Sequence, residues 1–184
     1  MNHLVPAQAG AQLITLAIFV TIARWYVAPW LAGRKRADAL IALLWIHVFR
    51  YVALQILAAQ REGFPISMTG AMEIVIGDVG GAILAFAAIV LLRRRTAAGI
   101  GVCWLLVATT AIDTVLNIRG GIEEHLMGAA TGVTWMILVF FVPAIVVSLG
   151  LLAWQLVSRR RQVLGDVRPR ADMPLTAGQP QGQS

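Results

Sequence analysis

Five apolar stretches, each long enough to cross a bilayer, constrain this chain more than any other feature of it. They run over 11–31, 40–59, 68–92, 97–118 and 131–157. A hydrocarbon core of roughly 30 Å takes about 20 helical residues at a rise of about 1.5 Å each. Unpaired backbone amides are too costly in lipid, so spans must be helices or strands of a closed barrel. Barrel strands are shorter and alternate apolar with polar residues, which these stretches do not. The predicted fold class is therefore all-α: a polytopic transmembrane bundle of five helices within residues 1–161. Residues 162–184 contain Pro169, Pro174 and Pro180 among Gly and Gln, with little to bury, and are expected to form a disordered cytoplasmic tail.

Composition agrees. Of 184 residues, 59% are hydrophobic and 13% charged, against roughly half and a quarter in soluble domains. A net charge of +6 could suggest nucleic acid, but the basic residues sit in short clusters at the ends of apolar runs, without a stripe of interleaved aromatics. No nucleic-acid partner is expected. The one cysteine, Cys103, cannot form an internal disulfide. No basic segment precedes the first apolar run, which therefore reads as a retained helix and not a cleaved leader.

Charge also sets the expected orientation. Arg34, Lys35 and Arg36 follow helix 1, Arg93–Arg95 follow helix 3, and Arg159–Arg161 follow helix 5. The alternate connections carry Arg61 and Arg119 beside Glu62, Glu123 and Glu124. The positive-inside rule then puts the N-terminus outside and the C-terminus in the cytoplasm, and the compactness of the chain suggests a bacterial inner membrane. Trp25, Tyr26, Trp30 and Trp154 mark the inner interface. Arg24 needs no partner if helix 1 starts nearer Leu4, and must snorkel or pair if it starts at Ala11. Pro143 is expected to kink or loosen helix 5. Helices 2–3 and 4–5 are hydropathically alike, but their charges do not correspond, and the repeat signal for a transporter is weak.

The ionisable groups inside the spans are the candidate functional residues, because charge is costly there. They are His47 and Arg50 in helix 2, Glu73 and Asp78 in helix 3, and Asp113 in helix 4. Counted from the outer helix ends, Arg50 and Asp78 lie at roughly 14–15 Å depth, Glu73 and Asp113 at roughly 8 Å. Equal depth predicts an Arg50–Asp78 pair. His47, Arg50, Tyr51, Leu54 and Gln55 share the spacing of one helix face, as do Thr109, Thr110, Asp113 and Asn117. Glu73 and Asp78 point roughly 140° apart. Gly77 and Gly81 form a small-xxx-small pair that would admit a neighbouring backbone.

Glu73, Asp113, Asn117 and Gln55 form a second expected cluster nearer the outside. Three carboxylates share one arginine at these depths, so one must be protonated, wetted or balanced by a cation. The bland alternatives are a pair that only fixes helix packing and carboxylates that merely reach headgroup water. His47 lacks a second membrane histidine for bis-histidine haem. The Gly120–His125 loop lacks metal-ligand spacing, and no metal site is expected there. The glycines around Asp78 lack the Lys-Ser/Thr of a phosphate loop, and no protease, nucleophile-elbow or paired-cysteine motif is present.

Three functions remain open. A small-ligand or ion binding or transport protein would use Arg50, Asp78, Glu73 and Asp113, with Gln55, Asn117 and His47 nearby. A structural or assembly subunit would pair its charges internally or with a membrane-protein partner or second copy. An intramembrane enzyme would need an acid or base among Glu73, Asp113 and His47, and no nucleophile motif supports it. Membrane lipid is the expected partner in each case, and no cofactor is specified.

Overall fold

Each apolar stretch forms one long helix in the computed structural model, which describes residues 4–126 and 128–164. The helices are α1 (Leu4–Ala32), α2 (Arg36–Arg61), α3 (Met68–Arg93), α4 (Ala98–Glu123) and α5 (Gly132–Ser158), all long and apolar enough to cross a membrane. Among the described residues there is no strand.

The ends differ from the sequence expectation in two places that matter. α1 begins at Leu4, with Pro6 in its first turn, where a missing N–H costs nothing. The expected start at Ala11 is thus too late by two turns, and Arg24, exposed and towards the C-terminal end of the helix, needs no partner. α4 continues to Glu123, past the expected stop at Ile118. An exposed Arg119–Glu123 ion pair of 2.7 Å, four residues apart, supports this extra turn.

Three helices stop by the same device. The N–H of Phe64 reaches the carbonyl of Ala59, that of Thr96 reaches Leu91, and that of Leu126 reaches Gly121. Each closure needs a left-handed residue just before the donor. Gly63 (φ 100°) fills it after α2, but Arg95 and His125, both at φ 54°, fill it after α3 and α4. Glycine takes this conformation without steric cost; the other two do not.

α3 lies between α2 and α4, α5 packs on α2, and α1 packs chiefly on α5. The apolar core fills one half of the bundle: Leu40 and Leu44 of α2, Ala88 and Leu92 of α3, Cys103 and Leu106 of α4, Leu152 and Leu156 of α5. At that end the three basic clusters meet. Arg159 donates from Nη2 to the Arg34 carbonyl (3.0 Å), and Arg36 donates from Nη1 to the Gln162 carbonyl (2.8 Å). Residues 162–164 thus fold back on α2, with the Ala37 N–H on the Leu164 carbonyl. The rest of the expected tail lies outside the described residues. At the opposite end Glu124 binds Ser67, which caps α3 by accepting from the Gly70 N–H.

Two prolines leave wide turns. Residues Ala23–Val27 of α1 precede Pro29, and Ile137–Phe141 of α5 precede Pro143, both in π geometry. In that spacing the Leu138 carbonyl would face Pro143, which has no N–H. Gln12 of α1 donates to it instead, from Nε2 at 3.1 Å. One turn earlier, buried Gln8 accepts from the Gly128 N–H. Gln12 thus fastens α1 to α5, and Gln8 fastens it to the connection between α4 and α5.

Candidate functional site

Arg50 sits where α2 tightens. Phe49–Leu54 form a 3-10 segment inside the helix, which advances about 120° per residue and aligns every third side chain. His47, Arg50 and Ala53 therefore all turn inward, while Tyr51 and Leu54 are half exposed. The expected face of His47, Arg50, Tyr51, Leu54 and Gln55 is thus split in two. The segment has neither Gly nor Pro to announce it.

The buried guanidinium spends one nitrogen on each of three acceptors. Nε donates to Asp78 Oδ1 of α3 at 2.6 Å, and Nη2 to Asp113 Oδ2 of α4 at 2.6 Å. Nη1 donates to Thr110 Oγ1, one turn from Asp113, at 2.5 Å. Charge-assisted bonds of this length are the strong kind, and their planar fork ties three helices together. Matching depth correctly anticipates the Asp78 partner. It misplaces Asp113, because the extra turn of α4 puts that residue ten positions from the helix end, roughly 15 Å, level with Asp78.

Glycine makes the room. A Cβ on Gly81 would meet the Arg50 guanidinium, and one on Gly77 would meet the Asp113 carboxylate. The small-residue face of α3 therefore admits two charged side chains, not the expected neighbouring backbone.

The cluster is unbalanced. One guanidinium faces two carboxylates, so it carries one net negative charge when both are ionised. Arg50 is 3% exposed, whereas Asp78 and Asp113 keep 20% and 17% of their side chains accessible. The remaining candidates do not complete it. Glu73 is exposed on another side of α3, and Gln55 is half-buried. Asn117 stands beside Asp113. The expected outer cluster of Glu73, Asp113, Asn117 and Gln55 is therefore corrected to one of Arg50, Asp78, Thr110 and Asp113, with Asn117 at its edge. His47, a turn deeper, is fully buried, and neither ring nitrogen has a hydrogen-bond partner among the described residues. Among the described residues no three His, Cys, Asp or Glu side chains gather as metal ligands would.

A family model described as "Domain of unknown function (DUF8737)" matches residues 8–157. The chain belongs to that family. The match runs from the second turn of α1 to the last turn of α5, so it takes in all five helices and the whole Arg50 cluster. No curated protein and no solved structure matches the chain.

Proposed function

We propose that this protein is an integral membrane protein that binds a proton or small monovalent cation at the Arg50–Asp78–Asp113 cluster, in the outer half of a five-helix bundle. The membrane part of this reading is supported by large apolar side chains left exposed along the helices. Leu13, Ile76, Ile83, Val115 and Leu116 are each more than half exposed, far more apolar surface than a water-soluble monomer tolerates. The orientation follows from charge: the end holding all three arginine clusters faces the cytoplasm, the Ser67–Glu124 end faces out. A compact bundle of this kind fits a bacterial inner membrane.

The site part rests on one observation, two carboxylates on a single buried guanidinium. Leaving a net charge at that depth is penalised by several kcal/mol at the least. A bound proton or monovalent cation restores neutrality, and the partly accessible carboxylates give it a way in. Binding there would be coupled to the packing of α2, α3 and α4, as an ion-driven transporter or sensor requires.

Thermal melting of the purified protein against pH and against monovalent salts tests this. The wild type should shift by several degrees with one or both, and Asp113→Asn, which leaves a neutral Arg50–Asp78 pair, should lose the response. A wild type indifferent to both would sink the reading. It would favour the second one, a structural or assembly subunit, for which the exposed apolar length of α1, packed chiefly on α5, speaks.

A further inference from the structure

The basic end of the bundle holds a cleft that the cation site does not use. It has a volume of about 340 Å³ and is lined by Arg36, Arg95 and Gln162, with Ala97, Ile100 and Leu164 among its apolar walls. Among the described residues no acidic side chain lines it. Arg36 is 6% exposed, and although its Nη1 is engaged by the Gln162 carbonyl, its buried Nε has no acceptor among the described residues. A guanidinium N–H buried without an acceptor is costly and calls for an anion or a strong dipole. Arg95 adds a second, independent sign. Its backbone is left-handed, at φ 54°, at the turn that ends α3, where glycine would sit unstrained. Its side chain also lines an adjoining cleft with Arg93, Asp38 and Trp45.

We infer that this cleft binds the phosphate of an anionic phospholipid, with Arg36 and Arg95 as its cationic ligands. The position fits that occupant. The cleft lies where α2 begins and α3 ends, level with lipid headgroups if the helices span a bilayer, and on the side that carries anionic lipid in the orientation proposed above. Arg36 and Arg95 border the cleft and supply positive charge for a phosphate at its mouth, while Ala97, Ile100 and Leu164 offer apolar surface to the adjoining glycerol and acyl carbons. The inference rests on the membrane reading and is independent of the cation site.

The full chain, extracted in mild detergent, should co-purify with anionic phospholipid enriched over zwitterionic lipid when retained lipids are measured by mass spectrometry. Arg36→Gln and Arg95→Gln should each lower that retention about fivefold. Arg95→Gly should lower it equally while melting no lower than the wild type, since it relieves the left-handed turn. Arg94→Gln, one residue from Arg95 but outside both clefts, should retain lipid as the wild type does. Added phosphatidylglycerol in mixed micelles should raise the wild-type melting temperature, with phosphatidylcholine and inorganic phosphate having little effect.

Equal retention in all variants, or equal loss in Arg94→Gln, would reduce the effect to general surface charge and overturn the cleft. Stabilisation by inorganic phosphate alone would make it a free-anion site and overturn the lipid. A chain that stays soluble without detergent would instead overturn the membrane reading beneath both proposals.

Discussion

Arg50 carries more of this structure than any other residue. Its three donors hold α3 through Asp78 and α4 through Asp113 and Thr110. Replacing it removes the only cation in the cluster and leaves two carboxylates facing each other. Arg50→Met should therefore destabilise by about 3–5 kcal/mol, the usual effect of breaking a buried ion pair from one side, and purified yield should fall with it. Combining Arg50→Met with Asp78→Leu and Asp113→Leu should restore part of the loss. His47 presents the opposite case. With both ring nitrogens unpartnered, its N–H is buried at an expense of about 1–3 kcal/mol. His47→Leu, similar in size and apolar, should melt higher than the wild type and keep its response to pH and salt. A lower melting temperature would mean that the imidazole has a partner outside this chain.

Helices here are apolar all round, so their ends and polar side chains decide how they pack. The bond from Gln12 to the Leu138 carbonyl answers the gap that Pro143 leaves in α5. Gln12→Leu should destabilise by about 1 kcal/mol, and hydrogen exchange should rise first in the residues around 137–141. At the far end, Glu124 accepts from both the Ser67 N–H and its hydroxyl, which hold the carboxyl below its ordinary value of 4.5. A folded value below the unfolded one contributes stability above the ordinary value, and that contribution disappears as pH falls through the depressed one. The difference in melting temperature between wild type and Glu124→Gln should therefore be present at neutral pH and vanish in acid. The exposed position of this link keeps the effect small.

At the scale of the molecule, the bundle is divided into a half with an apolar core, ending in the arginine clusters, and a half held by the Arg50 ion pairs. The basic half packs a conventional core around Leu44, Leu92, Leu106 and Leu152, with buried Arg159 lashing the α1–α2 turn to the end of α5. The other half is held by Arg50 and its acceptors, so loss of the cluster should loosen that half before the core melts. The proposed topology is open to a direct check, because the single native cysteine, Cys103, is buried. His125→Cys should react with an impermeant thiol reagent on intact cells, and Arg94→Cys only after permeabilisation. Labelling of both from the same side would defeat the five-span arrangement.

The number of helices, their approximate limits and the segregation of arginines to one end were legible in the residues, because hydropathy and charge act over whole segments and need no knowledge of neighbours. The Arg50–Asp78 pair was legible too, since depth along a helix depends only on counting. The second partner was not. Asp113 reaches Arg50 because α4 continues through Gly120 and Gly121 and because Gly77 leaves space beside it, and both facts depend on what the helix packs against. The 3-10 turn at Phe49–Leu54, the glutamine bonds from α1 to α5 and to the connection before it, and the left-handed Arg95 beside its cleft belong to the same class. One-dimensional patterns determined which segments are apolar and where charge accumulates. Three-dimensional packing alone decided which polar groups meet, because that depends on helix rotation and on gaps between side chains far apart in the chain.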